Sequence, residues 1–268
     1  MQPALELGLG AQEVLSFSGT GRVVGVYSKA AYLRLPGGLV ALTSFDVPSG
    51  PIHARTSVPF NGLKLGEKAV VTASLLQAGP LTLHQCGAQI WRGKVPSPEQ
   101  LNRAREPAIR LLAAAPPSAL ETEALEAAGS LLAHGDLHSA GSLLVGRGPG
   151  LTPAGDDCLA GILLVAYIGR DNRPAGELTG LAARVETNDI SRTFLHWAAR
   201  GQSIEPVHRF LVTAGQERPA QAARALDDMT RFGHSSGSDL AAGLKLGLEH
   251  LTFDRVLLPG GRNPIIPS

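Results

Sequence analysis

The sequence predicts an α+β chain, with an N-terminal antiparallel β-barrel or sandwich followed by a mostly α-helical C-terminal part. Three observations carry this reading. From about Val14 to Trp91, short runs of β-prone residues alternate with Gly, Pro, Ser and Asn clusters. Lys94-Val95-Pro96-Ser97-Pro98 then breaks the pattern. Beyond it, apolar residues recur at helical spacing and no strand-type alternation returns. The expected division is a β-rich domain over 1–95, a helical domain over 96–256 and a proline-broken tail over 257–268, with Met1 to Glu6 read as an unremarkable start.

The strands are expected at Arg22 to Tyr27, Ala31 to Leu35, Leu39 to Leu42, Ala69 to Thr72 and Leu81 to Leu83. Pro36-Gly37-Gly38 separates the second from the third, which is turn chemistry for a hairpin. Ser97, with Pro98 and Glu99 behind it, caps the first long helix, and Pro107 is placed to kink it. Pro116-Pro117-Ser118 ends that helix and opens another. A short helix follows over Gly135 to Ser142, and the segment after Asp157 has almost no polar face, so it should be central. Arg170 to Gly176 reads as a polar turn. Helices resume at Glu177 to Thr187, Ile190 to Arg200, Pro206 to Ala214, Ala220 to Arg231 and Asp239 to Leu251, with Asp189 or Ser191 capping the second of them.

Length and composition bound the function. A chain of 268 residues with 44% hydrophobic content buries a sizeable core, and a formal net charge of +1 gives no footing for nucleic acid or a membrane surface. Small-molecule partners are expected. Cys86 and Cys158 are the only cysteines, too far apart in sequence for a metal-ligand spacing, so neither a disulfide framework nor a zinc site is indicated. The N-terminus lacks a basic start, and the longest apolar run, Leu159 to Ile168, is too short to span a bilayer. The expected location is cytoplasmic.

The chemistry concentrates in Gly146 to Gly161, a glycine-rich loop running through Asp156-Asp157 into the apolar helix. Gly146, Gly148, Gly150 and Gly155 allow positive φ or close approach, and Thr152-Pro153 supplies a hydroxyl cap and a preset φ. A helix start of this kind favours anions, although two adjacent carboxylates repel phosphate unless a cation, a proton or an arginine such as Arg147 intervenes. A partial echo lies downstream: Gly237, Asp239 and Gly243 stand at the offsets of Gly155, Asp157 and Gly161, behind His234, Ser235 and Ser236. The expectation is that both loops face one pocket. First-turn acids also complement helix dipoles, so Asp157 and Asp239 have a purely local explanation as well.

Gly150 to Asp157, together with Gly233 to Asp239, resembles the AllH-like family, whose named member is a subunit of oxamate carbamoyltransferase. Ser191-Arg192-Thr193-Phe194-Leu195 and Ala198-Ala199-Arg200-Gly201 also look like that family. The resemblance implies carbamoyl transfer between carbamoyl phosphate and a small oxo-acid amide such as oxamate, in purine or allantoin catabolism, by a chain working beside partner subunits of a multi-subunit transferase. On this reading Asp156, Asp157, His234 and Asp239 are the catalytic candidates. Arg147, Gly148, Gly150, Thr152, Gly155, Arg192, Ser235, Ser236 and Gly237 are the substrate-binding ones.

Arg192 offers a fork for a carboxylate or phosphate, and it also fits a plain helix start. His234 has the side chain best suited to proton transfer near neutrality, but no acidic neighbour in sequence. Ser49, Gly50 and His53 form a Gly-Pro turn that could present N–H groups and an imidazole to the same site. No Gly-x-Ser-x-Gly elbow, Walker loop or dinucleotide fingerprint occurs. Two other functions remain open. A phosphotransferase or hydrolase would use the three aspartates on Mg²⁺, no other cofactor being assigned. A structural or regulatory subunit would complete a site on a partner.

Overall fold

The computed structural model describes residues 5–148, 150–169 and 175–251. Residues 1–4, Pro149, residues 170–174 of the turn expected over Arg170 to Gly176, and the tail from 257 lie outside the described residues, while Ala175 and Gly176 open a helix instead.

The first part is one curled nine-stranded sheet in the order β8-β7-β6-β2-β3-β4-β5-β1-β9. Its strands are β1 (Leu5–Gly8), β2 (Gly19–Val26), β3 (Ala30–Leu35), β4 (Gly38–Thr43), β5 (His53–Thr56), β6 (Lys68–Val71), β7 (Leu75–Ala78), β8 (Leu81–His84) and β9 (Gln89–Trp91). Most neighbours are antiparallel, and the hairpin at 36–38 forms as expected, with Leu35 opposite Gly38. The α+β order is as expected, a β-rich part followed by helices; two pairs are parallel, β4 with β5 and β1 with β9, so the sheet is a mixed half-barrel and not purely antiparallel. A short helix, α1 (Leu9–Leu15), follows β1, largely ahead of the strand runs read from Val14, and was not expected.

Side-chain alternation on β3 and β4 explains why these strands are buried on both faces. Ala31, Leu33, Leu35, Val40 and Leu42 face a core shared with Ala11, Val14 and Leu15 of α1. Tyr32, Leu39 and Ala41 face the other way, into a small cluster closed by Trp197. That second face receives the helices.

After β9 come α2 (Pro98–Ala113), α3 (Thr122–Ala133), α4 (Leu137–Leu144), α5 (Ala154–Gly169), α6 (Ala175–Arg184), α7 (Asp189–Ala198), α8 (Glu205–Gly215), α9 (Pro219–Thr230) and α10 (Ser236–His250). Ser97 caps α2 in a reciprocal box with Gln100, and the helix continues through Pro107. The cap of α7 is Asn188, whose side-chain oxygen accepts from the N–H groups of Ile190 and Ser191 at 3.0 Å, so neither Asp189 nor Ser191 has that role. Cys86 and Cys158 are both free thiols. Among the described residues no helix is long and apolar enough to cross a membrane.

The central helix is α5, buried along its length except at Tyr167 and Gly169. It crosses α10 at backbone contact. A Cβ on Gly243 would lie 1.9 Å from the Cys158 carbonyl oxygen, and one on Gly161 would lie 2.5 Å from that of Leu240. Each glycine thus meets the residue three positions before its counterpart.

The sheet is fastened to the helices by polar contacts at the chain crossing. The Gln202 side chain exchanges hydrogen bonds with the Gly93 backbone at 2.9 and 3.1 Å. His208 Nε2 accepts from Ser203 N–H at 2.9 Å, which leaves the ring proton on Nδ1 to donate to the Lys94 carbonyl at 2.9 Å.

Candidate functional site

The loop leading into α5 turns at Gly146, Gly148 and Gly150, with φ of +71°, +95° and +111°. These left-handed values disfavour any side chain, which accounts for the run of glycines. Gly155 has a different task. It is already helical and lies so close to the end of α4 that a Cβ would come within 1.8 Å of the Leu144 carbonyl oxygen.

Adjacent aspartates on a helix diverge by about 100°, and here they part company. Asp156 accepts from the Gly146 N–H at 2.8 Å and from the Thr187 hydroxyl, so both oxygens hold the loop in place. Asp157 borders a cavity of about 630 Å³. Thr152 does not cap the helix; its hydroxyl donates to Asp157 Oδ2 at 2.9 Å and lies 3.2 Å from the Ser236 hydroxyl. That contact ties the two loop-to-helix starts together, and Gly150, Leu151 and Thr152 line the same cavity as Gly233, His234, Ser235 and Ser236.

Burial pushes the Asp157 carboxyl up to about 8, against the opposing hydrogen bonds of Ser236 and Thr152 and with help from the charges of Asp239 and Asp156. At neutral pH this group is therefore chiefly a neutral acid. In that form it carries little charge to repel an anion. Burial likewise raises Tyr32, which also lines the cavity, to about 12, with smaller contributions from Tyr27 and Asp157, and pushes the Cys158 thiol up so that it stays protonated.

Asp239 occupies the matching place in α10 but does not line the cavity. Its Oδ1 accepts from the Ser118 hydroxyl at 2.6 Å and the Ala119 N–H at 2.8 Å, while its buried Oδ2 has no hydrogen-bond partner. Gly237 is a packing position like Gly155, its missing Cβ replaced by the Met229 carbonyl oxygen at 1.8 Å.

Two arginines expected to hold an anion are engaged elsewhere. Arg147 donates to the Leu143 carbonyl, and Arg192 pairs with Asp189 at 3.1 Å and donates to the Thr187 carbonyl at 2.7 Å. Neither they nor Gly148 line the cavity, and among the described residues no lysine or arginine does. The described residues contain no group of three or more His, Cys, Asp or Glu placed to hold a metal ion, because Asp156 turns to the loop and Asp239 to Ser118.

The rest of the wall is largely apolar, with the Gln202 amide and the side chains of Tyr32 and Ser203 as its polar groups, and was not expected from the sequence. Tyr32 comes from β3, Phe194 and Ala198 from α7, and Gln202, Ser203 and Ile204 from the turn before α8. Gly201, at φ +75° behind the α7 helix, is the one signal that marked this turn. The 48–53 turn also reaches the helical half. The Ser49 carbonyl accepts the Glu205 N–H at 2.8 Å, and His53, lowered to about 4 by burial, meets Phe194 edge-on at 6.3 Å.

This geometry is a partly open cavity with a largely apolar wall and one polar corner made by two helix starts. Residues 144–248, which include both starts and Asp157, match the family model described as oxamate carbamoyltransferase subunit AllH. The match bears out the family resemblance over that segment. No solved structure matches the chain.

Proposed function

We propose that this chain is a substrate-holding subunit of a carbamoyltransferase, with carbamoyl phosphate and a small oxo-acid amide such as oxamate as its ligands. The observation that carries the reading is Asp157, a carboxyl kept neutral at the meeting point of two helix starts inside the family-matched segment. In carbamoyl transfer the acceptor nitrogen attacks the carbamoyl carbon, the carbon–oxygen bond to phosphate breaks, and the nitrogen releases a proton. The intermediate is a tetrahedral oxyanion, which fixed donors stabilise. Asp157 in its acid form, with Ser235 and Ser236 beside it, is a donor set of the right kind. His234 on the same wall is the candidate to take the proton from the nitrogen.

Among the described residues the cavity lining contains no lysine or arginine, although phosphate recognition ordinarily draws on such cations. This favours the view that a partner subunit supplies the missing charge and that the isolated chain turns over poorly. The alternative in which the three aspartates hold Mg²⁺ gains no support from their divergent directions. Titration of carbamoyl phosphate, oxamate, phosphate and Mg²⁺ into the wild type and Asp157→Asn, with and without partner subunits, tests the reading. Carbamoyl phosphate or oxamate should bind the wild type, bind Asp157→Asn within a few-fold because the amide is also a neutral donor, and bind Asp157→Ala, titrated in the same series, at least about tenfold more weakly. Absence of binding to the wild type, even with partners, would overturn it.

A further inference from the structure

Two buried hydroxyls on the wall of the cavity beside Asp157 have no partner inside the protein. Tyr32, 8% exposed, and Ser203, 9% exposed, both line it, and neither hydroxyl makes a hydrogen bond to any described residue. Both stay open to the cavity. Among the described residues the unpartnered side-chain atoms sealed in the packing are Thr43 Oγ1, Arg55 Nε and Asp239 Oδ2, and neither hydroxyl is one of them. A buried tyrosine or serine hydroxyl ordinarily finds a partner, because leaving it unpaired is destabilising.

The two come from distant parts of the chain, and each is held from behind. The Tyr32 backbone stands opposite Gly25 and Ala41 in the sheet, and its ring packs with Leu39, Ile52 and Trp197 and meets Tyr27 edge-on at 5.9 Å. Ser203 follows Gln202, which is bound to the Gly93 backbone, and its own N–H donates to His208 Nε2 at 2.9 Å. Burial raises Tyr32 to about 12, so the phenol keeps its proton and donates throughout the neutral range.

The lining also restricts the charge of a ligand. Among the described residues it holds no lysine or arginine and one carboxyl, that of Asp157. An ion seated against such a wall loses hydration without gaining a counter-charge. A carboxamide group avoids that cost. It has a carbonyl acceptor and two N–H donors and no net charge, and hydroxyls serve both kinds. Phe194, Ile204 and Phe232 offer apolar surface to a short carbon body.

We propose that the Tyr32 and Ser203 hydroxyls are specificity-determining groups that hold an uncharged carboxamide group in this cavity, Tyr32 donating to its carbonyl oxygen, and that they select an amide over the corresponding carboxylate. The assignment deepens the carbamoyl-transfer reading and rests on it for taking the ligand to be the oxo-acid amide; the amide class itself follows from the lining. Oxamate would seat its amide group inward and leave its carboxylate in water.

The experiment is a ligand-observed NMR titration of propionamide, oxamate and oxalate with the full-length wild type, Tyr32→Phe, Ser203→Ala and Tyr27→Phe. Both amides should bind the wild type, oxamate at least about tenfold more tightly than oxalate. Tyr32→Phe should weaken both amides by about three- to tenfold and Ser203→Ala by at least about threefold. Tyr27→Phe, whose side chain does not line the cavity, should stay within about twofold. Tyr32→Phe removes an unpaired hydroxyl and should keep or raise the unfolding temperature, so a misfolded variant cannot imitate the loss. Oxalate binding as tightly as oxamate, either cavity variant binding both amides like wild type, or a wild type that binds neither amide would overturn the proposal. Oxamate binding that is unchanged in both variants would remove the two hydroxyls and leave the carbamoyl-transfer reading standing. Propionamide binding that depends on both hydroxyls, with no oxamate binding even when partner subunits are supplied, would remove that reading and keep the amide site.

Discussion

Gly155, Asp157 and Gly161 in α5 and Gly237, Asp239 and Gly243 in α10 occupy equivalent places about one helix crossing, yet their carboxylates have different surroundings. The outer glycines each accept a carbonyl oxygen at the position of a missing Cβ, and the inner glycines each touch the other helix three residues upstream of its own glycine. The shared spacing therefore encodes packing. The carboxylates are where the copies diverge, because Ser118 and Ala119 hold Asp239 while Asp157 borders the chamber. A repeated pattern of this kind locates a site without making every repeated residue part of it.

The packing half of the comparison should break most severely. Gly243→Ala would drive a Cβ into the Cys158 carbonyl at 1.9 Å, and only separation of the two most buried helices would relieve it. A loss of at least about 3 kcal/mol, or failure to fold, is expected in chemical unfolding. Gly176→Ala in α6, where a Cβ meets nothing within 4 Å, is the matched control and should gain roughly 0.5–1 kcal/mol. Equal effects at the two positions would mean that the crossing is looser than the glycine contacts describe.

How much of this was legible follows from range. The capping box at Ser97, the hairpin at 36–38 and the buried character of α5 are local patterns, and the sequence displays them. The matched glycine and aspartate offsets are equally visible, and with them the shared chamber. Strands such as β5 and β9 are three or four residues long and partly polar, so no run marks them, and the parallel β1–β9 pairing joins segments some eighty residues apart. Helix α1 did carry a signal, in Ala11, Val14 and Leu15 on one face, but the strand-rich context obscured it. Arg147 and Arg192 illustrate a further limit: a positive charge beside a motif says nothing about which carbonyl it will choose. Tyr32, Phe194 and Gln202 reach the chamber from three distant segments, and only the fold brings them together.

The chemical half of the comparison should appear in the pH dependence of stability. Asp157 is raised from an ordinary 3.8 to about 8 in the folded chain. Below pH 4 both folded and unfolded chains hold the proton, and its contribution is complete. Between pH 4 and 8 only the folded chain holds it, so stability falls as pH rises through that window and levels off above it. Asp157→Asn has no proton to lose, so its stability should decline less between pH 5 and 8, by roughly 2–4 kcal/mol. His53 and His208, both lowered to about 4 by burial, act with the opposite sign, their contribution being lost as pH falls from 6.5 towards 4. They are present in both chains and cancel in the difference. Parallel stability curves for wild type and variant would show that Asp157 is an ordinary ionised carboxylate, and would remove the distinction between the two helix starts.

The smallest expected effect sharpens the comparison most, because it asks whether the two carboxylates sense each other. The Asp239 charge is one of the influences that raise Asp157, weaker than burial. In Asp239→Asn the amide oxygen can keep the hydrogen bonds from Ser118 and Ala119, and the amide nitrogen takes the place of the partnerless Oδ2. Removing the negative charge favours ionisation of Asp157, and a new N–H₂ group facing it would act in the same direction. The midpoint of the Asp157-linked decline in stability should therefore move to lower pH by less than about one unit, with global stability near pH 5 changed by no more than about 1 kcal/mol. The measurement is a series of chemical unfolding curves from pH 4 to 9 on wild type, Asp239→Asn and the double variant with Asp157→Asn. The shift should vanish in the double variant, since the titrating group is then absent. An unmoved midpoint would mean that the carboxylates do not interact across the helix crossing, so that Asp239 serves only to hold the Ser118 turn. A shift that survives in the double variant would assign the titration to another group and would undo the role given to Asp157.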